Sequence, residues 1–246
     1  MAHTIRVAAL QKRMGGVIPT AEFESLRQKG VDLVCLPEYY FVPSKVRSQI
    51  ETAALKKAIL KRIQLYSNQL VGVVVGGTLI EEEYGRYYNT CPVFDCGKFV
   101  GSYRKMFPTP REREKGISSG TSHTVVEVRG IRLGLLICAD VLYSASFNKI
   151  RELQPHLIAI PTTSPLQPGE PAIEKQRRDN EIFVNGSRTT GAYILKTCGV
   201  GYFMRERLQG RSLITAPWGV LKGISPRSEM LEATLMEDLN IDLLNR

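Results

Sequence analysis

The feature that most constrains this chain is a strand–helix–strand pattern that occurs twice. Ile5-Arg6-Val7-Ala8-Ala9-Leu10 leads, about one helix later, to Val31-Asp32-Leu33-Val34-Cys35-Leu36-Pro37. Ile131-Arg132-Leu133-Gly134-Leu135-Leu136 leads, after a similar gap, to His156-Leu157-Ile158-Ala159-Ile160-Pro161. Short apolar runs closed by polar residues read as buried strands. A helix between two of them makes the strands parallel neighbours. The expectation is an α/β chain with two sheets, each carrying crossover helices.

The remaining pattern fills in that frame. A short helix opens at Pro19 or Thr20 and stops at Gly30. Ser44 is placed to cap a long one, with Val46, Ile50, Ala53, Ala54, Ile63, Tyr66 and Leu70 near the helical period. Further helices are expected over 146–153 and from 171 to about 188, the latter with Ile173, Gln176, Ile182, Phe183 and Asn185 inward. Strands are expected at 71–80, 89–95, 98–104, 124–129, 192–197, 211–216 and 219–222. No Pro-, Ser- or Gly-rich linker divides the sequence, so 1–246 reads as one domain.

Composition removes several function classes. The longest near-continuous apolar run, 71–80, is interrupted by Gly72, Gly76 and Gly77, whereas a membrane span needs about 20 residues. Arg6 breaks any secretory apolar region near the N-terminus, so a cytoplasmic location is expected. Five cysteines in or beside apolar strands read as thiols rather than disulfides. Cys91 and Cys96 are too isolated for zinc, and His3, His123 and His156 are scattered singly, so neither metal nor cofactor is expected. The net charge of +9 comes with alternating signs, as in Arg111-Glu112-Arg113-Glu114-Lys115, and with no nucleic-acid motif. Nucleic acid is therefore not an expected partner, and the charge is left as a steering field for anions.

Chemistry gathers at strand ends. Cys138 closes the run Arg132-Leu133-Gly134-Leu135-Leu136-Ile137, where open α/β sheets place their ligand crevices. Glu38 follows Pro37, beside Tyr39, Tyr40 and Phe41, an aromatic setting that desolvates a carboxylate. Lys105 follows the run 98–104, and a loop stiffened by Pro108 and Pro110 leads on to Glu112. A thiol, a carboxylate and an ammonium are the parts of a nucleophile, a base and an oxyanion clamp. A lone strand cysteine is most often packing, and Cys35, Cys91, Cys96 and Cys198 are read that way.

These residues resemble the nitrilase-like carbon–nitrogen hydrolases. Leu36-Pro37-Glu38 matches the first motif of that family, Tyr103-Arg104-Lys105 the second, and Leu136-Ile137-Cys138-Ala139-Asp140 the third. Gly76-Gly77-Thr78, Tyr88-Asn89-Thr90, Gly210-Arg211-Ser212-Leu213-Ile214 and Pro217-Trp218-Gly219 resemble its framework segments in the right order. The chain departs from the family in its small Ala139 after the cysteine, in the absence of an acid over 141–145, and at Ala216.

The resemblance implies a four-layer α-β-β-α sandwich. It implies Cys138 as nucleophile, Glu38 as general base, Lys105 as oxyanion-stabilising cation and Glu112 as an auxiliary acid, with Glu114 two residues away as its competitor. The Ala139 N–H joins the oxyanion clamp, and Thr162 and Thr163 are read as lining the pocket. Asp140 is read as a cap for the helix that follows Cys138. The substrate expected is a small carboxamide or carbamoyl compound, cleaved with water through a thioester. Nitrile hydrolysis, acyl transfer from the same thioester, and a non-catalytic binding protein are the alternatives. The resemblance also implies a homodimer or larger even oligomer, with 143–147 as the candidate contact.

Overall fold

The structure, a computed structural model, describes every residue except 1, 2, 44, 45, 47 and 246. Its strands are β1 (Thr4–Gln11), β2 (Leu33–Cys35), β3 (Val73–Val75), β4 (Leu79–Glu83), β5 (Arg86–Asp95), β6 (Lys98–Arg104), β7 (Thr124–Val128) and β8 (Ile131–Leu135). They continue as β9 (Leu157–Thr162), β10 (Tyr193–Cys198), β11 (Gly201–Phe203), β12 (Glu206–Leu208), β13 (Leu213–Ala216), β14 (Gly219–Gly223) and β15 (Ala233–Asn240). The helices are α1 (Thr20–Gln28), α2 (Lys56–Leu70), α3 (Pro110–Glu114), α4 (Ser144–Glu152) and α5 (Ala172–Thr190).

Two sheets form as the repeated pattern requires. One runs β15-β1-β2-β3-β5-β4, with β6 also on β5; the other runs β14-β13-β10-β9-β8-β7. Within each, the repeated unit pairs in parallel: Val7 lies opposite Leu33 across α1, and Leu133 opposite Leu157 across α4. The inward residues of both sheets share one buried cluster, in which Val7, Ala9, Leu33 and Val75 meet Leu133, Leu157, Tyr193 and Leu213. The outer face of the first sheet buries Ala8, Val34 and Val74 against Phe23 and Leu26 of α1 and Ile59, Ile63 and Leu70 of α2. On the second sheet, Phe147 of α4 and Phe183 of α5 cover Ile158, Ile160 and Ile194. The result is the four-layer α-β-β-α sandwich.

Several elements differ from the sequence expectation. The Ser44 cap lies outside the described residues. The long helix divides into a 3-10 segment, Gln49–Leu55, and α2, and its first half packs in a separate cluster: Val46, Ile50 and Ala53 turn toward Tyr39, Ile80 of β4 and Ile117. The 71–80 run is two strands. Val71, at φ +56°, ends α2, and Gly77, at φ +63°, breaks the run again. A Cβ on Gly77 would stand 2.1 Å from the Pro37 carbonyl oxygen, so only glycine lets the segment before Glu38 pass. Strands β11, β12 and β15 were not expected. In β15 Leu235 and Leu239 share the buried face, but Glu237 between them interrupts the apolar alternation that would mark a strand.

Helix α5 buries Phe183 as expected, and half-buries Gln176 and Ile182, but the rest of its inner face differs. Ile173 and Asn185 are exposed, while Lys175, Asp179, Phe183, Gly186, Ser187 and Thr190 point inward. Cys96 is likewise exposed on the β5–β6 turn, not packed. No helix among the described residues is long and apolar enough to cross a membrane.

Candidate active site

Four strand ends of the two sheets converge on one cavity of about 410 Å³. Beyond β2, Leu36 still donates to the sheet through Val75 O, and the chain then turns to present Glu38. Beyond β8, Leu136 donates to Ala159 O, and Cys138 follows at φ +44°. A non-glycine residue holds that left-handed backbone only when its surroundings fix it. Asp140 does much of the fixing. It is fully buried and accepts from Ile137 N at 2.9 Å, closing the 3-10 turn Cys138–Leu142 from within rather than capping α4, which starts after Tyr143. It also accepts from Tyr103 Oη at 2.8 Å and Phe107 N at 2.9 Å, which ties the cysteine turn to the segment carrying Lys105.

Lys105 stands at the centre. Its Nζ donates to Glu38 Oε1 at 2.9 Å and to both Glu112 oxygens at 3.0 and 2.8 Å. All three groups are 4% exposed or less. Burial alone lowers the Lys105 pKa, but the charges of Glu38 and Glu112 outweigh it and raise it, so the ammonium persists. Glu112, not Glu114, occupies the site; Glu114 is exposed. A capping box sets it there: Glu112 N donates to Thr109 Oγ1, Thr109 N donates to Glu112 Oε2 at 2.7 Å, and Pro110 opens α3. Burial raises the Glu112 pKa, yet Lys105, Tyr39 and Thr109 together more than offset it and leave it below the ordinary value.

Glu38 has a donor on every side. Oε1 accepts from Lys105 and from Asn89 Nδ2 at 2.9 Å; Oε2 accepts from Thr163 N at 3.0 Å and Thr163 Oγ1 at 2.6 Å. The aromatic setting read from sequence is only half of its environment, since Tyr40 and Phe41 turn into the α1–α2 layer. The half-buried Cys138 places its Sγ 3.3 Å from Thr163 O. Burial and then the charge of Glu38 push the thiol pKa up against the opposing pull of Lys105, so the thiol is protonated at rest. Attack on a substrate therefore needs a base.

Of the other predicted site residues, Ala139 lines the cavity beside Cys138. Thr163 bridges Cys138, through its carbonyl, and Glu38, through its N–H and hydroxyl. Thr162 lines the cavity too, but its hydroxyl donates back to Ile160 O at 3.1 Å. Two residues escaped sequence reasoning as site members. Asn89, quoted only as framework, donates to both Glu38 and Glu112, the latter at 3.1 Å. Tyr39, read as an apolar neighbour, donates from Oη to Glu112 at 2.7 Å. Among the described residues, no group of three or more His, Cys, Asp and Glu side chains is arranged to hold a metal ion.

Comparisons with known proteins agree with this architecture. An (R)-stereoselective amidase from Pseudomonas sp. is 28% identical over 168 residues, 65% of this chain and 60% of that enzyme's own length. An omega-amidase from Xenopus tropicalis is 24% identical over 88% of this chain and 79% of its own. The solved carbon–nitrogen hydrolase of Helicobacter pylori G27 shares the fold with a TM-score of 0.83 at 18% identity, covering 99% of this chain and 91% of that one. A mutant amidase from Nesterenkonia sp. AN1 shares it at 0.82 and 18% identity, over 98% and 92%; it carries the acetamide moiety of fluoroacetamide covalently at its active-site cysteine. The carbon–nitrogen hydrolase family itself matches residues 15–244. On that match, the chain belongs to the carbon–nitrogen hydrolase family, enzymes that act on carbon–nitrogen bonds other than peptide bonds.

Proposed function

We propose that this protein is a thiol amidohydrolase that cleaves a small carboxamide or carbamoyl compound through a thioester on Cys138. The observation that carries the reading is the shared ammonium: Lys105 Nζ bonds Glu38 and Glu112 together beside a protonated thiol at a cavity wall. Substrate enters with its carbonyl carbon at Cys138 Sγ. Glu38 takes the thiol proton as the C–S bond forms, and the oxyanion is held by Lys105 and the Ala139 N–H. The tetrahedral intermediate collapses, Glu38 returns the proton to the leaving nitrogen, and ammonia or an amine departs. Glu38 then draws a proton from water, which attacks the thioester and releases the acid. Glu112 keeps Lys105 aligned throughout. The amidase relatives and the cysteine adduct of the Nesterenkonia enzyme favour amides over nitriles.

Ammonia release across a panel of amides, carbamoyl amino acids and nitriles tests the reading. Wild type is expected to turn over amides, and Cys138→Ala to lose at least about a thousandfold in rate while still binding substrate. Unchanged turnover in Cys138→Ala, or no turnover of any panel member by wild type, would sink it. Peptide mapping must accompany any labelling of Cys138, because Cys96 is also exposed.

The working form is proposed to be a cytoplasmic, single-domain homodimer or larger even oligomer. Leu142, Tyr143, Ser144 and Ala145 are exposed just beyond the nucleophile and supply a contact, although Ser146 and Phe147 of the expected segment are buried. Light scattering at micromolar concentration decides this, and a monomer would contradict it.

A further inference from the structure

Tyr39 follows the proposed base directly, and its backbone is left-handed, φ +55°. That conformation costs a tyrosine free energy. Three contacts hold it here. Its N–H donates to Thr78 Oγ1 at 2.9 Å. Its ring stacks on Phe203 of the β11–β12 hairpin, with centroids 5.0 Å apart and planes 9° from parallel. Its hydroxyl donates to Glu112 Oε1 at 2.7 Å, inside the buried site. The hairpin that supplies Phe203 is pinned to α3 by the Arg111–Glu206 ion pair, so ring and acceptor are held from the same side. A side chain needed only for packing has no use for a strained backbone that aims its one polar atom at a buried carboxylate.

We propose that Tyr39 is a positioning residue for the reaction, acting through Glu112, whose carboxylate its hydroxyl holds in register with Lys105. This rests on the amidohydrolase reading, in which Lys105 must stay placed for the oxyanion. The hydroxyl can serve as a donor over the whole working range. Burial, with the charges of Glu112 and Glu38, raises its pKa well above the ordinary value. In turn it is one of the groups that keep Glu112 ionised. The charged and titratable groups facing Glu112 are Lys105 after β6, Tyr39 and Glu38 after β2, and Cys138 after β8. Removing the Tyr39 donor therefore shifts Glu112 toward protonation and loosens its grip on Lys105.

Tyr39→Phe keeps the ring on Phe203 and removes only the hydroxyl. A lost hydrogen bond to a charged group predicts a fall in kcat of about tenfold, with KM within about twofold. The acid limb of the kcat profile is expected to move to higher pH by about half a unit. The rate of Cys138 alkylation by iodoacetamide against pH, read by peptide mapping, should move likewise and needs no turnover. If wild type hydrolyses no amide, the functional reading fails while the alkylation profile still decides Tyr39. In a Glu112→Gln background, Tyr39→Phe should add no further change to that profile. Wild-type kcat and unmoved limbs in Tyr39→Phe would overturn the proposal. So would a full additional effect in the Glu112→Gln background, which is what a structural role produces.

Discussion

Two buried charged clusters lie along the same cavity, and they are built in opposite proportions. In the first, one cation serves two carboxylates: Lys105 lies between Glu38 and Glu112, and each of those carboxylate oxygens has a donor. In the second, two cations share one carboxylate. Asp179 of α5 takes Lys196 at 2.7 Å and Arg211 at 3.3 Å. There, Arg211 Nε and Nη1 and Glu229 Oε2 find no hydrogen-bond partner among the described residues. Burial of charge is common to both, so burial alone does not mark a reactive site. What separates them is the Cys138 thiol beside the first, and left-handed backbone at Tyr39 and Cys138 on either side of it. The second cluster ties α5 to β10 through Asp179 and Lys196.

Substituting one lysine of each cluster, Lys105 or Lys196, gives the largest expected effects. Lys105→Met leaves Glu38 and Glu112 facing each other without the cation. Loss of an oxyanion group predicts a fall in kcat of about a thousandfold, and breaking a buried pair costs about 3–5 kcal/mol of stability. Lys196→Met should also destabilise, by about 3 kcal/mol or less, because Arg211 still reaches Asp179. Its kcat at 25 °C should stay within a few-fold of wild type. Denaturant unfolding and ammonia release on the two variants separate stability from rate. A hundredfold loss of kcat in Lys196→Met would erase the distinction between the clusters and make the second part of the reacting machinery.

The same contrast explains what the sequence made legible. Strands β1, β2, β8 and β9 carry mainly apolar runs, despite Arg6 in β1 and Arg132 in β8, so the two parallel units and the residues at their ends were readable. Cys138, Glu38, Lys105 and Glu112 come together as the resemblance implied, because each sits within a few residues of a strand end or helix start whose geometry is local. The second cluster was invisible. Its α5 face sets Lys175, Asp179 and Ser187 around Phe183, and a hydrophobic period assigns those three polar residues to solvent. Asn89 and Tyr39 were missed for another reason: they reach the site across 51 and 73 residues of sequence, to Glu38 and Glu112 respectively. Only the folded sheet brings those pairs together. Glu38 itself was read with aromatic neighbours, but its partners Asn89 and Thr163 come from other strands.

The smallest effect is expected at Thr163, where the comparison sharpens to one hydrogen bond. Both oxygens of Glu38 hold two donors, so the base can accept a proton only by releasing one of them. Lys105 is fixed by its charge and by Glu112, and Thr163 N is fixed by the backbone. The Thr163 hydroxyl, at 2.6 Å from Oε2, turns about a single bond and is the donor that can yield. Thr163→Val removes it while keeping the β-branched shape and the backbone N–H bond. Loss of one such bond predicts a fall in kcat of about five- to tenfold. Thr163→Ser restores the hydroxyl without the methyl group and should recover most of the rate. The discriminating result is the order of the two variants: a serine variant as slow as the valine one would mean that Thr163 acts by shape, and that Glu38 yields its proton site by another route.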